Sequence, residues 1–480
     1  MNAQHYFQSL YVNEPELFFG GGNRHADQKI GLTLYGPAQL LDKADLIKSI
    51  NVGIVGTGET VGLAEMWMEK LKHEMPSRKE SVYFPSFMGF ETTFNCVLNV
   101  ANQWKEIIPE KEIEQLADLE KYKDRVNKAV DLFAEKLQSL VEREPRPQIV
   151  ICAIPQALIR IVGSQKTSVA VSAEHDIADP LLEAIDFRRV LKAKAMGFGI
   201  PTQLAKESTF TGKTTMEERA LQDEATRAWN FSVALYYKAG GLPWRLAEAS
   251  PGTCYVGVSF YREYFPSTTR TRTSLVQIFT HMGEGLVLRG DRFEWDEKMG
   301  KSPHLSKQNA SKLLKDAMEV YQRHMGQAPA RMVVHKSSRY WSDELAGFKE
   351  ACQGIDKVDF VSFGRRGIRF LRQGLYPPLR GTVIKLSKHN YLIYTRGYVP
   401  LYRTYPGLHV PHPLEILEHH GDSDIQTVCR EILGLTKMNW NNADYSIREP
   451  VTVRFSREIG AILTNVPETI APRPQYLFYM

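Results

Sequence analysis

The sequence predicts an α/β protein built from two units, and three features carry that prediction. An apolar run of β type at residues 52–55 leads into a glycine-rich turn and then into a helical stretch, the order expected of a parallel β/α layer. The run at 149–154 is apolar throughout, as in a strand buried on both faces. After Pro243, strand candidates follow one another closely, which indicates an antiparallel meander.

Composition places the chain among ordinary globular proteins. Of its 480 residues, 43% are hydrophobic and 24% are charged, which supplies enough apolar side chains for sizeable cores. The net charge of +5 permits a polyanionic partner without requiring one. The five cysteines form no C-x-x-C pair and indicate reduced, buried thiols of a cytoplasmic protein. We find neither a signal peptide nor a run of 18 apolar residues, so no membrane span is expected.

We divide the chain into a linker-like segment of short strands and turns at 1–45, a first unit at 46–243 and a second unit at 244–480. Gly240 and Gly241 mark the boundary, because paired glycines followed by proline end a helix. In the first unit we predict further elements over 81–87 (strand), 116–144 (long amphipathic helix), 186–197 (helix), 199–205 (strand) and about 216–239 (helix).

The second unit is predicted to begin with the meander and to continue with alternating helices and strands. The elements that we predict there are strands over 253–265, 274–282, 285–290 and 292–297, a helix over about 307–325, a strand over 330–336, a helix over 343–353, strands over 357–363, 381–386 and 391–397, and a helix over 430–435.

The glycine turn after the first strand raises the question of a dinucleotide cofactor. Gly56, Gly58 and Gly62 are spaced G-x-G-x-x-x-G, one residue longer than the usual dinucleotide fingerprint. The strand candidate at 81–87 has no acidic residue at its tip to bind a ribose. A tight strand-to-helix turn needs glycine for conformational reasons alone, so the segment indicates an α/β layer more firmly than a cofactor.

A basic cluster in the first unit is a candidate phosphate site. Arg188 and Lys192 share one helix face, Gln203 lies on the next strand, and Lys238 ends the following long helix. Cations and an amide that converge between two helices can hold a terminal phosphate. The alternative is a solvated basic helix face.

Basic and aromatic residues also alternate at turns of the second unit. Such groups can follow a phosphate backbone and stack on bases, and the alternative is surface charge beside core aromatics. The candidates are Lys336, Arg339, Tyr340, Trp341, Arg365, Arg366, Arg369 and Arg372.

Carboxylates are missing where a two-metal nuclease would need them. Ser259 stands on the leading strand of the second unit, and Ser337 follows its middle strand. Asp343 and Glu344 come later, at a helix start where acids are common caps. The scattered histidines, at 409, 412, 419 and 420, have no partnering cysteines and are expected to be structural.

Several motifs, taken in order, resemble the MID and PIWI domains of prokaryotic Argonautes over nearly the whole chain. "QKIGLTLYGP" is similar to the linker before MID. The stretches similar to MID are "FRRVLKAKAMGFGIPTQL" and "ALYYKAGGLPW", and those similar to PIWI are "CYVGVSFYRE", "RMVVHKSSRYWSDELAGF", "LRQGLYPPLRGTVIKL", "HPLEIL", "ILGLTKMNWNNADYSIREPVTVRF" and "YLFYM". The resemblance implies a Rossmann-like MID domain followed by an RNase H-like PIWI domain. With no segment for N and PAZ domains, the chain resembles the short class.

The resemblance also assigns roles to residues. The family's pocket for the guide 5'-phosphate falls on Arg188, Lys192, Gln203 and Lys238, completed in many members by a divalent cation such as Mg²⁺ and the C-terminal carboxylate, here that of Met480. The family's catalytic acids fall on Ser259, on Ser337 and, after a "PVT"-like strand, on Arg457. The glutamate finger is not placed.

What the resemblance implies is a guide-binding protein that does not cut. It would hold a short 5'-phosphorylated RNA or DNA guide, pair it with a complementary target strand and activate an APAZ-domain partner bearing a TIR or SIR2 NADase or a nuclease, limiting phage or plasmid spread. Two alternatives stay open: an active PIWI nuclease with an unconventional acid set, and a dinucleotide-dependent enzyme using the loop at 56–62. The sequence leaves undecided the effector type, the guide chemistry and the oligomeric state on activation.

Overall fold

The computed structural model describes most of the chain. The described residues are 8–41, 46–77, 81–163, 186–213, 222–262, 271–295, 302–364, 367–374, 376–405, 407, 409–466 and 472–480. Within them the strands, in chain order, are β1 Ser9–Tyr11, β2 Leu17–Phe18, β3 Arg24–His25, β4 Ser49–Gly56, β5 Val97–Asn99, β6 Lys105–Ile107, β7 Ile149–Ile154, β8 Thr202–Lys206, β9 Arg245–Leu246, β10 Thr253–Arg262, β11 Thr271–Thr280, β12 Gly285–Glu294, β13 Arg331–Lys336, β14 Lys357–Gly364, β15 Thr382–Lys385, β16 Tyr391–Ile393 and β17 Leu414–Gly421.

Helices alternate with these strands. They are α1 Gln28–Tyr35, α2 Gly58–Lys70, α3 Phe90–Phe94, α4 Glu110–Glu114, α5 Tyr122–Val141, α6 Gln156–Val162, α7 Phe187–Gly197, α8 Glu207–Thr211, α9 Glu224–Lys238, α10 Lys307–Met325, α11 Ser342–Ala351, α12 Ile425–Leu435 and α13 Val451–Leu463. In the described parts of the chain, none of these helices combines the length and the apolar character that a membrane crossing requires.

The first sheet is parallel and five-stranded. Its order is β5-β4-β7-β8, with β6 pairing with β4 beyond the end of β5. All six residues of β7 are buried, as its apolar sequence predicts for a strand covered on both faces. One face packs against α2 and α9, and the other against α5 and α7. The amino end of β8 lies beside the two helices that carry the predicted phosphate ligands, since Lys192 of α7 contacts Thr202 and Lys238 of α9 contacts Gln203.

The second sheet has nine strands in the order β1-β15-β16-β17-β14-β13-β10-β11-β12. The strands β10, β11 and β12 form the predicted antiparallel meander, but the stretches predicted as separate strands over 285–290 and 292–297 give the single strand β12, which ends at Glu294. Strands β13 and β14 lie parallel to β10. Helices α10 and α11 cover one face, and α13 packs on β10 from the other. Gly257 permits this packing, because a Cβ there would lie 1.9 Å from the Thr452 carbonyl oxygen of α13.

Two predicted strands are absent from the described structure. Residues 81–87 form isolated bridges rather than a strand, since Pro85 interrupts the ladder and Phe87 is buried in the first core. The "PVT"-like stretch is the start of α13: Pro450 stands at its N-cap, and buried Val451, Phe455, Ile459 and Ile462 recur at helical spacing.

The N-terminal residues are fastened to the second sheet. Strand β1 pairs antiparallel with β15, placing Ser9 opposite Ile384. Glu14 forms ion pairs with two buried cations, Arg380 at 2.8 Å and Lys437 at 2.6 Å. The segment predicted as linker-like therefore contributes a strand and a buried carboxylate to the second sheet.

Candidate functional site

Two buried lysines and a glutamine meet at the amino end of β8. Lys192, on α7, is 2% exposed, and its Nζ donates to the Thr202 carbonyl oxygen at 3.2 Å. Lys238, the last residue of α9, is 3% exposed and donates to Oε1 of Gln203. The structure therefore brings these three predicted ligands together, and we call Arg188, Lys192, Gln203 and Lys238 the basic cluster.

Local sequence explains how the cluster is positioned. Asp186 caps α7 by accepting a hydrogen bond from the Arg188 backbone N–H at 2.8 Å. Arg188 then occupies the first turn, and Lys192 follows one turn later on the same face. Helix α9 ends at Lys238 because Gly240 takes a positive φ of 97°.

The buried positive charges of the basic cluster are not balanced by a negative charge in the described structure. Burial lowers the pKa of Lys192 well below its ordinary value, and repulsion from Lys238 and Arg188 lowers it further. Burial, with repulsion from Arg188, lowers the pKa of Lys238 to about 7. Neither lysine is paired with a carboxylate among the described residues. The acidic group near both is the Cys152 thiol, and burial raises its pKa to about 12. An anion placed here would gain from both ammonium groups.

The C-terminal segment, residues 472–480, lies against the same two helices. The Arg473 backbone N–H contacts Sδ of Met196 in α7 at 3.3 Å, and the Tyr476 ring lies 6.3 Å from that of Tyr237 in α9. A 3-10 turn at Tyr476–Phe478 leads into Met480, whose side chain is 3% exposed. The last residue is thus anchored in the core beneath the helices of the basic cluster.

The donor set permits Mg²⁺ only with help from a ligand. Arg188, Lys192 and Lys238 supply cations rather than oxygen ligands, and the Gln203 amide oxygen already accepts from Lys238. Mg²⁺ prefers oxygen donors and is commonly held by one or two carboxylates together with substrate phosphates. The basic cluster therefore fits Mg²⁺ only if the Met480 carboxylate and a bound phosphate supply the oxygen ligands.

The glycine turn has a structural explanation. Thr57 and Thr60 form a capping box at the start of α2, and the Thr60 hydroxyl donates to the Ala153 carbonyl oxygen at 3.2 Å. A Cβ on Gly56 would lie 2.4 Å from that hydroxyl, whereas Gly58 and Gly62 face open space. Packing between β4 and β7 therefore explains the glycine at position 56.

The positions matched to catalytic acids lie at the end of two paired strands. In the parallel pairing of β10 with β13, Val258 stands opposite Lys336, so Ser259 and Ser337 follow at the same edge. The buried Ser259 hydroxyl has no hydrogen-bond partner in the described part of the chain. Arg457 belongs to α13 rather than following a strand, and its side chain lies outside the described residues.

Lys336 does not line an exposed channel, contrary to the prediction. It is 1% exposed and forms an ion pair with the fully buried carboxylate of Glu344, while its Nζ lies 3.0 Å from Nδ1 of His304. Glu344 was expected to cap the start of a helix. Its carboxylate instead pairs with Lys336 and accepts a hydrogen bond from the Leu305 backbone N–H at 3.1 Å. We call His304, Lys336 and Glu344 the buried triad.

The remaining predicted channel residues divide into two groups. Arg339, Arg369 and Arg372 are exposed, with Arg339 lying 3.7 Å from the Glu418 carboxylate and Arg372 over the Tyr398 ring. Tyr340 is buried and donates to the Val334 carbonyl oxygen at 2.9 Å. Arg365 and Arg366 lie outside the described residues.

Some expectations about single residue types can also be compared with the structure. All five cysteines are buried and unpaired with one another, as predicted. His419 has a structural partner, with Nε2 2.9 Å from Oδ1 of Asp359. Sequence analysis missed the partners within the buried triad, because Lys336 ends a strand and Glu344 lies on the following helix, so no single period relates the two positions.

Comparisons with known proteins agree with the motif-based resemblance. No protein-family model matches the chain. In sequence it is 23% identical over 269 residues to Protein argonaute of Aquifex aeolicus (strain VF5), an alignment that covers 55% of this chain and 35% of that protein.

Solved structures share the fold over almost the whole chain. A structure of Clostridium butyricum Argonaute bound to a guide DNA and a 19-mer target DNA matches with a TM-score of 0.61 and 15% identity, covering 97% of this chain and 54% of that one. A. aeolicus Argonaute with externally bound siRNA matches with a TM-score of 0.59 and 16% identity, covering 98% of this chain and 56% of that one. Drosophila Piwi matches with a TM-score of 0.59 and 11% identity, covering 99% of this chain and 56% of that one. The chain thus spans about half the length of these structures, and the predicted α/β fold class is confirmed.

Proposed function

We propose that this chain, a homologue of Argonaute proteins with the fold of their MID and PIWI part, is a guide-nucleic-acid-binding protein. It holds the 5'-phosphate of a short guide in the basic cluster and presents the guide for pairing with a complementary strand. The observation that carries the proposal is the pair of buried lysines without a carboxylate partner in the described structure. A terminal phosphate has more negative charge than an internal phosphodiester, so this cluster favours a strand end.

The direct test compares guides that differ only at the 5' end. Short single-stranded RNA and DNA guides, each with a 5'-phosphate or a 5'-hydroxyl, are titrated into the full chain, and the loaded protein is then offered complementary and scrambled strands. We expect tighter binding of phosphorylated guides and capture of the complementary strand alone. Equal affinity for both 5' ends would remove the support for a phosphate pocket.

Guide affinity is expected to fall as the pH rises above about 7. A bound phosphate favours protonated Lys238, whose pKa in the unliganded protein is about 7, so binding takes up a proton above that pH and affinity falls by about tenfold per pH unit. Burial also lowers the pKa of Lys192, so uptake of a proton there makes the slope steeper. Titrations from about pH 7.5 to about 9.5 measure this slope above the second pKa of phosphate, ≈ 6. A 5'-hydroxyl guide serves as control and should show a shallower slope; equal slopes would contradict the assignment.

We propose further that the chain does not cleave its target. With Ser259 and Ser337 at the edge where the family's acids stand, a two-metal mechanism lacks carboxylate ligands there. Guide-loaded protein incubated with a matched target and Mg²⁺ or Mn²⁺ should leave the target intact. Specific products opposite the middle of the guide would instead support a nuclease with an unconventional acid set.

A carboxylate at Met480 is proposed to complete the phosphate pocket through Mg²⁺. The buried Met480 side chain anchors the C-terminal segment beside α7 and α9. A few residues appended after Met480 should weaken binding of phosphorylated guides without changing the melting temperature, and EDTA should weaken the parent but hardly affect the extended variant. Parental affinity and an unchanged EDTA response in the extended variant would leave packing as the role of this segment.

We place the output of target recognition in a second protein. A binder without catalytic acids needs an effector, and the motif resemblance to short Argonautes suggests an APAZ-domain partner with a TIR, SIR2 or nuclease effector, acting in the cytoplasm against phage or plasmids. Purification of the chain from native cells, followed by identification of what remains bound, tests this step.

A further inference from the structure

Trp341 differs from every other tryptophan of the chain in its exposure. It is 40% exposed, whereas the other six are at most 5% exposed. Trp341 stands at the N-cap of α11 and makes no side-chain capping hydrogen bond, so its ring is not required there to satisfy the helix end. An exposed, rigid aromatic side chain is a recurrent binding feature of protein surfaces.

The ring of Trp341 is held in a fixed orientation from one side. It stacks on the His304 ring with centroids 4.3 Å apart and an interplanar angle of 14°, and the Trp295 ring lies 5.3 Å away. His304 is itself held by Glu344, with Nδ1 to Oε2 at 3.2 Å. The buried triad therefore supports one face of the indole and leaves the exposed part of the ring to face solvent without loss of order.

The Trp341 ring and the buried triad beneath it lie close to the edge of the second sheet that bears Ser259 and Ser337. Lys336 of the triad lies 5.4 Å from the Phe260 ring, and Phe260 follows Ser259 on β10. Apart from the buried Tyr340, the residues around the indole in sequence are polar: Ser337, Ser338, Arg339, Ser342 and Asp343. In the described structure, no other exposed large apolar side chain lies on β10, β13 or α11.

We propose that the exposed face of Trp341 stacks on a nucleobase of the guide or target strand. The proposal rests on the proposed function and adds to it the site at which one base is held. An exposed indole held in one orientation suits a base, because stacking accepts any base. A docking surface for an apolar protein segment would need further apolar side chains beside it.

Stacking is tested with Trp341→Leu, which keeps an apolar side chain but removes the aromatic face, and with Trp341→Phe, which keeps a ring over His304. Both are loaded with the same phosphorylated guide and titrated with a complementary strand. We expect Trp341→Leu to bind the target roughly tenfold more weakly and Trp341→Phe to lie between it and the parent. Met66→Ala is the matched control, because Met66 is 58% exposed on a helix of the first sheet, and should bind like the parent.

A scan with abasic nucleotides identifies the stacked base. Each position of guide and target is made abasic in turn; one position should weaken binding to the parent about tenfold and leave Trp341→Leu unaffected, since the contact is already lost there. Acrylamide quenching gives a second measurement: as the other tryptophans are buried, the quenchable fluorescence reports on Trp341 and should be protected when the strand binds.

The outcomes separate the two proposals. Guide and target binding by Trp341→Leu at parental affinity, with no abasic position that distinguishes it from the parent, would overturn the stacking site and leave the proposed function intact. A parent that binds no guide would overturn both. Protection of Trp341 by a protein partner but not by nucleic acid would also overturn stacking. If Trp341→Leu fails to fold, the affinity of Trp341→Phe and the abasic scan on the parent decide whether the stacking site exists.

Discussion

Phosphorylated guides are expected to bind Lys192→Ala and Lys238→Ala variants roughly 1–3 kcal/mol more weakly than the parent, the scale of a hydrogen bond to a charged group, which is about five- to 150-fold in affinity. Each lysine is buried at the amino end of β8 and, within the described structure, has no carboxylate to compete with a phosphate. Equilibrium titration with a labelled 5'-phosphorylated guide measures the loss.

The matched control for this pair is Lys194→Ala. Lys194 lies on the same helix, but its exposed ammonium pairs with Asp131 at 3.0 Å, so the variant should bind guides nearly as the parent does. Lys238→Met gives a second control: removing an unpaired buried charge should maintain or raise the unfolding midpoint while guide binding weakens. Parental affinity of both alanine variants for phosphorylated guides would show that the phosphate binds elsewhere.

Glu344→Gln is expected to destabilise the second sheet by about 3 kcal/mol, because it leaves the Lys336 ammonium buried without its carboxylate. Lys336 and Glu344 are 1% and 0% exposed, and Glu344 also holds His304 and the Leu305 backbone N–H. The shift in the denaturant midpoint of the transition that exposes the buried Trp295 measures the effect, since its ring contacts His304.

Glu350→Gln is the control for Glu344→Gln. Both residues lie on α11, but Glu350 pairs with Lys307 at 3.0 Å in an exposed position, where an ion pair contributes roughly 0–1 kcal/mol. Equal midpoint shifts in the two variants would mean that Lys336 loses its proton or finds another partner at no cost.

Much of the fold follows from local sequence signals. The helix predicted over 307–325 has the bounds of α10, because its apolar period runs from a serine cap to a glycine in the left-handed region at Gly326. Strand β7 likewise follows from a run of apolar residues that a parallel sheet can bury on both faces. Where cap, period and terminating glycine agree, the sequence is sufficient to predict the element.

Other features depend on contacts that are distant in sequence. The apolar alternation of "PVTVRF" suits a strand, and the choice of helix depends on packing against Gly257 of β10. Lys336 was predicted as a nucleic-acid ligand because its neighbours are basic and aromatic, yet Glu344 and His304 bury it. The basic cluster was foreseen because its residues match a known motif; periodicity placed Lys192 and Lys238 on helices without showing that they meet.

The antiparallel pairing of Ser9 with Ile384 sets a constraint on how this chain folds and how it can be divided. The partners are separated by most of the sequence, and such long-range pairing is slow because a large loop must close first. Until the first residues arrive, β15 is an open sheet edge, and Arg380 and Lys437 lack the carboxylate of Glu14. Residues 244–480 expressed alone would expose that edge, so soluble production of this half requires the N-terminal strand in cis or supplied as a peptide.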